Sequence, residues 1–254
     1  MTEVEEAEEI LANILGAHAG WAAGFPQGEV VPGPEIVLID TGIPIAGLNV
    51  AFIERPQDLR QSIQRAARFF GNRSRPWRLE TPLALAETAD PIARSVGLHE
   101  KRLRPTMLVR ANQLKRAMNT PEISIKAVET VADFEVFLRT LAEGMAGTRP
   151  RDRPGLSRFP WPGFQHYLGF VSGEPVATTA MYRHEQVAGI YAVATVERAR
   201  QHGYGRAVTE RAVADAFDAG CSFSILQSSD MGRSVYESMG YRWICDRPTW
   251  SSEK

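Results

Sequence analysis

Short β-branched runs alternate with amphipathic segments along most of this chain, and the alternation passes through the same order twice. Residues 48–53 read as a strand, 59–70 as a helix, 76–81 as a strand and 83–96 as a helix. Gly97-Leu98 and an extended stretch at 102–109 follow. Residues 187–196, 208–217, 221–227 and 231–239, then Gly240-Tyr241 and a last strand at 241–245, repeat that order. The helix over 59–70 is the clearest element. Ile63, Ala66, Ala67 and Phe70 share one face, and Gly71 ends it. Such alternation selects a mixed α/β architecture, with helices burying their apolar stripes on a sheet. The matching order and lengths suggest a duplicated unit.

The remaining segments fit around these two series. Residues 2–18 read as an acidic helix with Ile10, Leu11, Ile14 and Leu15 on one face. Gly, Pro and Gln dominate 24–34, a loop signature, and 35–40 is a short strand. A second block opens near Pro121. Its parts are a half-buried strand at 123–128, a helix at 131–142, a long Gly-, Pro- and Arg-rich loop at 144–163, and a strand at 164–171. Ser172-Gly173-Glu174 turns the chain back into a strand at 175–182.

Composition narrows the function classes. The 254 residues are 44% hydrophobic and 23% charged, a globular chain long enough for one large domain or two. Lys+Arg is 29 against Asp+Glu 30, a net charge of −1, so nothing favours non-specific nucleic-acid binding. The longest apolar run, 187–196, is about half the roughly 20 residues a membrane span needs. The Glu-rich start lacks the basic region of a secretory leader, so a cytoplasmic protein is expected. Cys221 and Cys245 match no disulfide framework or zinc spacing, and are expected to be buried thiols.

Chemistry concentrates where the strand at 187–196 passes into the next helix, through Arg200-Gln201-His202-Gly203-Tyr204-Gly205-Arg206. Glycines at a strand-to-helix turn let backbone approach a ligand closely. The free N–H groups and positive dipole end of the helix form an anion site, and Arg200 and Arg206 add charge suited to phosphate. A dinucleotide fingerprint would need Gly or Ala where Val208 stands, and no Gly-Lys-Ser/Thr follows to make a Walker loop.

The segment resembles the acetyl-CoA motif of the GNAT acetyltransferases. Arg200-x-x-Gly203-x-Gly205 meets the family's Arg/Gln-x-x-Gly-x-Gly/Ala pattern, after a matching strand at 190–196. Downstream, Tyr236 stands four residues before Gly240-Tyr241, as the family's usual general acid does. The resemblance extends less sharply over 123–250. It implies a mixed, mostly antiparallel central sheet flanked by helices, in two tandem GNAT-like halves. Residues 1–115 would be a degenerate copy without a cofactor loop, since 53–59 lacks glycines and carries Glu54 and Asp58. Residues 116–254 would be the catalytic domain.

The residue roles follow from the same resemblance. Val193, Ala194 and Thr195 would pair with the pantetheine arm of acetyl-CoA or another acyl-CoA. The N–H groups of Arg200, Gln201, His202, Gly203, Tyr204, Gly205 and Arg206 would cradle the pyrophosphate. Ser229 stands where the family often has a pantetheine-contacting Asn. Tyr236 would return a proton to the departing thiolate. No general base is apparent, because the matching strand positions are Gly189 and Ser224. Glu185 lies just upstream, and His166 and His184 read as surface residues in or near strands. The acceptor would be a small-molecule or peptide amine, entering beside the 144–163 loop, where Arg149, Arg151, Arg153, Arg158, Trp161 and Phe164 cluster. No metal, nucleic acid or membrane is required, and monomer and homodimer both remain open. An acyl-CoA sensor without turnover is the competing reading, and a nucleotide-binding domain the third.

Overall fold

A computed structural model describes residues 3–117, 122–145 and 161–252. The chain divides into two compact units, each assembled from two stretches of sequence. One comprises Met1–Ala17 and Met107–Trp243, the other His18–Thr106 and Ile244–Lys254. The division therefore differs from a single cut at 115/116: the first 17 residues group with the C-terminal segment, and the last 11 with the N-terminal one. Three elements pass from one unit to the other: helix α1 (Glu3–Ala23), strand β5 (Glu100–Arg110) and the final strand β11 (Arg242–Ser251).

The N-terminal unit contains β1 (Glu29–Val31), β2 (Ile36–Asp40), β3 (Val50–Ile53), helix α2 (Leu59–Gly71), β4 (Arg78–Glu80) and helix α3 (Ala86–Ser95). Its strands run in the order β1-β2-β3-β4-β11-β5. The pair β3–β4 is parallel, while β1–β2, β2–β3 and β4–β11 are antiparallel. The register aligns Leu38, Ala51, Leu79 and Trp250 across four strands. These side chains meet Ile63, Ala66 and Phe70 of α2 and Ala89, Ile92 and Ala93 of α3 in one apolar core. The Trp250 indole N–H donates to Asp90 at 2.8 Å, which satisfies its polar edge. Strand β1 falls inside the stretch that the Gly/Pro content marks as loop. It is three residues long and pairs along one side only, too little for a hydrophobic pattern to develop.

The C-terminal unit contains β6 (Ser124–Ala127), α4 (Val131–Gly144), β7 (Phe164–Val171), β8 (Glu174–His184), β9 (Val187–Thr195), α5 (Tyr204–Asp218), β10 (Phe223–Gln227) and α6 (Arg233–Ser238). Its strands run β5-β10-β9-β8-β7-β6. Strands β6 to β9 form an antiparallel meander, and β9–β10 is parallel. Helix α4 starts at Thr130, whose hydroxyl accepts from the Asp133 N–H. Helix α5 buries Ala212, Val213 and Ala216 against Tyr167, Met181, Ala188 and Ile190. On the other side, Phe134 and Phe137 of α4 meet Trp161 and Phe164, and all four rings surround His166. Each such ring contributes about 1.5–3 kcal/mol by burial.

Candidate active site

Strands β9 and β10 part company midway. Their parallel pairing covers Phe223 to Leu226 against Val187 to Ile190 and stops there. Strand β9 runs on to Thr195, paired only with β8. A bulge sits at the parting point. Ala192 has φ +50°, its carbonyl accepts from the Thr178 hydroxyl at 2.9 Å, and the β8–β9 register slips by one residue there. Past the bulge, Val193, Ala194 and Thr195 present a strand edge with no β10 partner. Such an edge can pair with an extended amide-bearing ligand.

The turn into α5 supplies anion-binding groups. Gly203 is the N-cap of α5 at φ +81°, a left-handed position that costs an L-residue about 1–2 kcal/mol. It has no side chain to cap the helix. The first α-helical bond runs from Ala207 N to Gly203 O, and no protein acceptor meets the backbone N–H groups of residues 201–206 among the described residues. A Cβ on Gly205 would stand 2.8 Å from the Thr195 hydroxyl, so a glycine keeps the loop against the end of β9. The His202 and Tyr204 rings stack at 5.6 Å, and His202 Nδ1 donates to the Arg200 carbonyl at 2.7 Å.

The two arginines of the motif are occupied within the protein. Arg200 donates to the Thr195 carbonyl at 3.3 Å and to the Gly144 carbonyl at 3.0 Å, bracing the end of β9 against the end of α4. Arg206 donates to Glu210 at 2.6 Å, to the Ser238 hydroxyl at 3.0 Å and to the Lys115 carbonyl at 3.0 Å. Their guanidinium groups shape the loop, and the loop's backbone offers the open donors. The Ser229 hydroxyl is likewise engaged locally, accepting from Gly232 N at 3.2 Å in the turn that opens α6.

Tyr236 lies on α6, partly buried, with its ring 5.9 Å from Tyr241. Burial pushes its hydroxyl up to about 12, so it holds its proton at neutral pH. The family's base positions are filled otherwise. Ser224 is fully buried, donates to the Ala188 carbonyl at 2.9 Å and therefore accepts from the Tyr241 hydroxyl at 2.7 Å. A Cβ on Gly189 would meet Asn13 Oδ1 at 2.1 Å, because α1 lays the fully buried Asn13 across this strand. Asn13 donates to the Tyr182 and Val187 carbonyls and accepts from the Tyr191 hydroxyl. Asn13 is a residue that sequence reasoning missed. A polar side chain inside the apolar stripe of Ile10, Ile14 and Ala17 was the signal.

Residues 135–241 match the family model of the acetyltransferase (GNAT) family. The chain carries a GNAT acetyltransferase domain. Its fold is that of solved GNAT proteins over nearly its whole length. A GCN5-related N-acetyltransferase from Kribbella flavida superposes with a TM-score of 0.71 at 17% identity, covering 96% of this chain and 95% of its own. One from Sphaerobacter thermophilus gives 0.59 at 14%, covering 87% and 82%. A tandem GNAT protein from the clavulanic acid biosynthesis pathway gives 0.55 at 11%, covering 97% and 96%. No curated protein matches in sequence. The chain is thus an enzyme of the acyltransferase class with a mixed, mostly antiparallel GNAT sheet flanked by helices.

Other expectations change. His166 is not on the surface. It is 1% exposed inside the aromatic cluster, its Nε2 has no hydrogen-bond partner, and burial pulls its pKa down to about 4. Trp161 and Phe164 are buried in the same cluster rather than displayed to an acceptor. Arg149, Arg151, Arg153 and Arg158 lie outside the described residues. Cys221 is buried as expected, but Cys245 is exposed, on a strand that runs six residues past the expected end. His184 is half-buried, and Glu185 is an exposed turn residue at φ +47°. Among the described residues, no helix is long and apolar enough to cross a membrane.

Proposed function

We propose that the chain transfers an acyl group, acetyl in the first instance, from CoA to an amine, using the GNAT domain alone as the donor site. The observation that carries this is the coincidence of two open hydrogen-bonding surfaces. The edge of Val193, Ala194 and Thr195 that β10 leaves unpaired, with only the Thr195 carbonyl held by Arg200, leads to the unpartnered N–H groups of residues 201–206. An extended amide arm ending in a pyrophosphate needs that pair in that order. The glycine at 205, whose Cβ would crowd the Thr195 hydroxyl, and the left-handed Gly203 fit the same ligand.

The CoA thioester supplies the activated acyl group. Backbone at 193–195 orients it and offers N–H groups to charge developing on its carbonyl oxygen. Tyr236 holds a proton on a hydroxyl with no hydrogen-bonding protein partner among the described residues, ready for a thiolate leaving group. With Gly189 and Ser224 unable to take a proton, the acceptor amine arrives already neutral or loses its proton to water. The pH–rate profile then follows the amine's own ionisation. The N-terminal unit is a degenerate copy that binds no acyl-CoA.

Thiol release from acetyl-CoA over a panel of amines tests this. Tyr236→Phe should lower kcat by about 10²-fold while leaving the CoA dissociation constant within twofold. Turnover equal to wild type removes Tyr236 from the chemistry. CoA binding without turnover on any amine leaves a sensor.

A further inference from the structure

The face of the N-terminal unit opposite its apolar core carries more positive charge than it neutralises. Register places Arg78 and Glu80 there, alongside Val50, Phe52 and Thr249. Arg247, two residues before Thr249 on β11, shares the face. Arg247 is the neutralised member: it donates to Glu80 at 2.6 Å and is ion-paired with Glu54. Arg78 donates to Glu80 at 3.4 Å and to His18 Nε2 at 3.2 Å, yet its own Nε meets no acceptor although the residue is only 5% exposed. Arg104 of β5 adds a third guanidinium, which repels Arg78 and is itself drawn towards Glu80. Its buried Nε is also without an acceptor, and it forms no hydrogen bond or ion pair among the described residues. Three arginines thus stand against two carboxylates.

We propose that this face binds a small oxyanion, a carboxylate or phosphate group, held between the guanidinium groups of Arg78 and Arg104. The missing charge is one negative unit, and the missing contacts are hydrogen-bond acceptors. An oxyanion supplies both, and a guanidinium fork matches its geometry. Arg104 is partly exposed, which gives the anion a way in. Burial first, then Arg104, pull the Arg78 pKa down to about 9, although Glu80 opposes the shift. The site is separate from the loop at residues 201–206 and does not depend on the acyl-CoA reading.

Thermal unfolding of the full chain tests it, in sodium phosphate, sodium acetate or sodium chloride at matched ionic strength. Phosphate stabilises folded proteins generally through surface exclusion, so the comparison between variants decides. Phosphate, acetate or both should raise Tm by several degrees over chloride in the wild type, and equally in Gly203→Glu, whose cofactor loop is blocked. Arg104→Met should melt higher than wild type in chloride, because a repulsive charge is gone, and should lose the anion increment. Arg104→Gln serves if the Met variant does not fold. An increment that survives in the Arg104 variants, or that vanishes in Gly203→Glu, overturns the proposal, as does no increment in the wild type.

Discussion

Each unit sets two parallel strands side by side and follows the first with a helix, but the two ends are finished in opposite ways. In the C-terminal unit, β9 and β10 separate after Ile190 and Leu226, and the helix begins at a bare glycine. In the N-terminal unit, β3 and β4 pair through Phe52 and Glu80, and Arg247 then ties Glu80 to Glu54 just past the strand ends. Helix α2 begins at Asp58, whose carboxylate already accepts from the Gln61 N–H at 2.9 Å. One helix start is left open to an anion, and the other carries its own. The two ends thus differ as much in the backbone groups left unpaired as in the side chains they carry.

Arg247→Met should have the largest effect, since it takes away the hydrogen-bonded partner of Glu54 and leaves Glu80 to Arg78. The N-terminal unit should lose about 3–5 kcal/mol in urea unfolding, while CoA affinity changes less than twofold. A matching loss of CoA affinity would mean that the clamp serves the donor site.

Acid should separate the units by pH window. His166 has its pKa lowered from 6.5 to about 4 by burial, so the C-terminal unit should lose stability as pH falls from 6.5 towards 4, by about 3 kcal/mol in all. Glu80 moves from 4.5 to about 2: burial opposes its ionisation, but Arg247 and Arg78 outweigh it. Its contribution should persist above pH 4.5 and fade as pH falls towards 2. His166→Phe should flatten the first window. An unchanged profile would place the buried imidazole elsewhere in the energetics.

Gly203→Glu should weaken CoA at least about 100-fold, or about 2.7 kcal/mol, by titration calorimetry. Retained affinity would move the donor site away from this loop. Gly189→Ala should cost about 1–3 kcal/mol, because the methyl has only the Asn13 carboxamide and the Tyr191 ring to displace. The smallest change is Asp58→Ala, at about 1 kcal/mol for a lost cap. It should leave CoA binding at one per chain, because Arg247 still closes the strand ends. A second CoA would show that the cap alone keeps that half shut.

Much of this was legible in the sequence. Periodicity marks α2 within a residue of its ends, the two strand–helix series, and the glycine loop, because those signals are local. Glu54 and Asp58 already argue against phosphate in the first series. Their actual duties, an ion clamp and a helix cap, depend on Arg247, which lies 193 residues from Glu54, and on where α2 starts. The start of α5 at Tyr204 rather than Val208 was hidden because a glycine and an arginine interrupt the apolar stripe in its first turn.

What the chain determines by itself is which backbone is free to bend: glycines at 203 and 205, apolar stripes at helical spacing, and the order of strands and helices. What only the tertiary structure decides is which polar groups find partners. Arg200 and Arg206 carry phosphate-suited charge in the sequence, yet carbonyls, a hydroxyl and a carboxylate of the fold claim both. His166 looks like a surface residue in the sequence, yet the fold buries it, as it buries Arg78. A residue's type fixes what it can bond to, but burial and long-range neighbours fix what it does bond to. That difference makes one half of this chain a candidate donor site and closes the other.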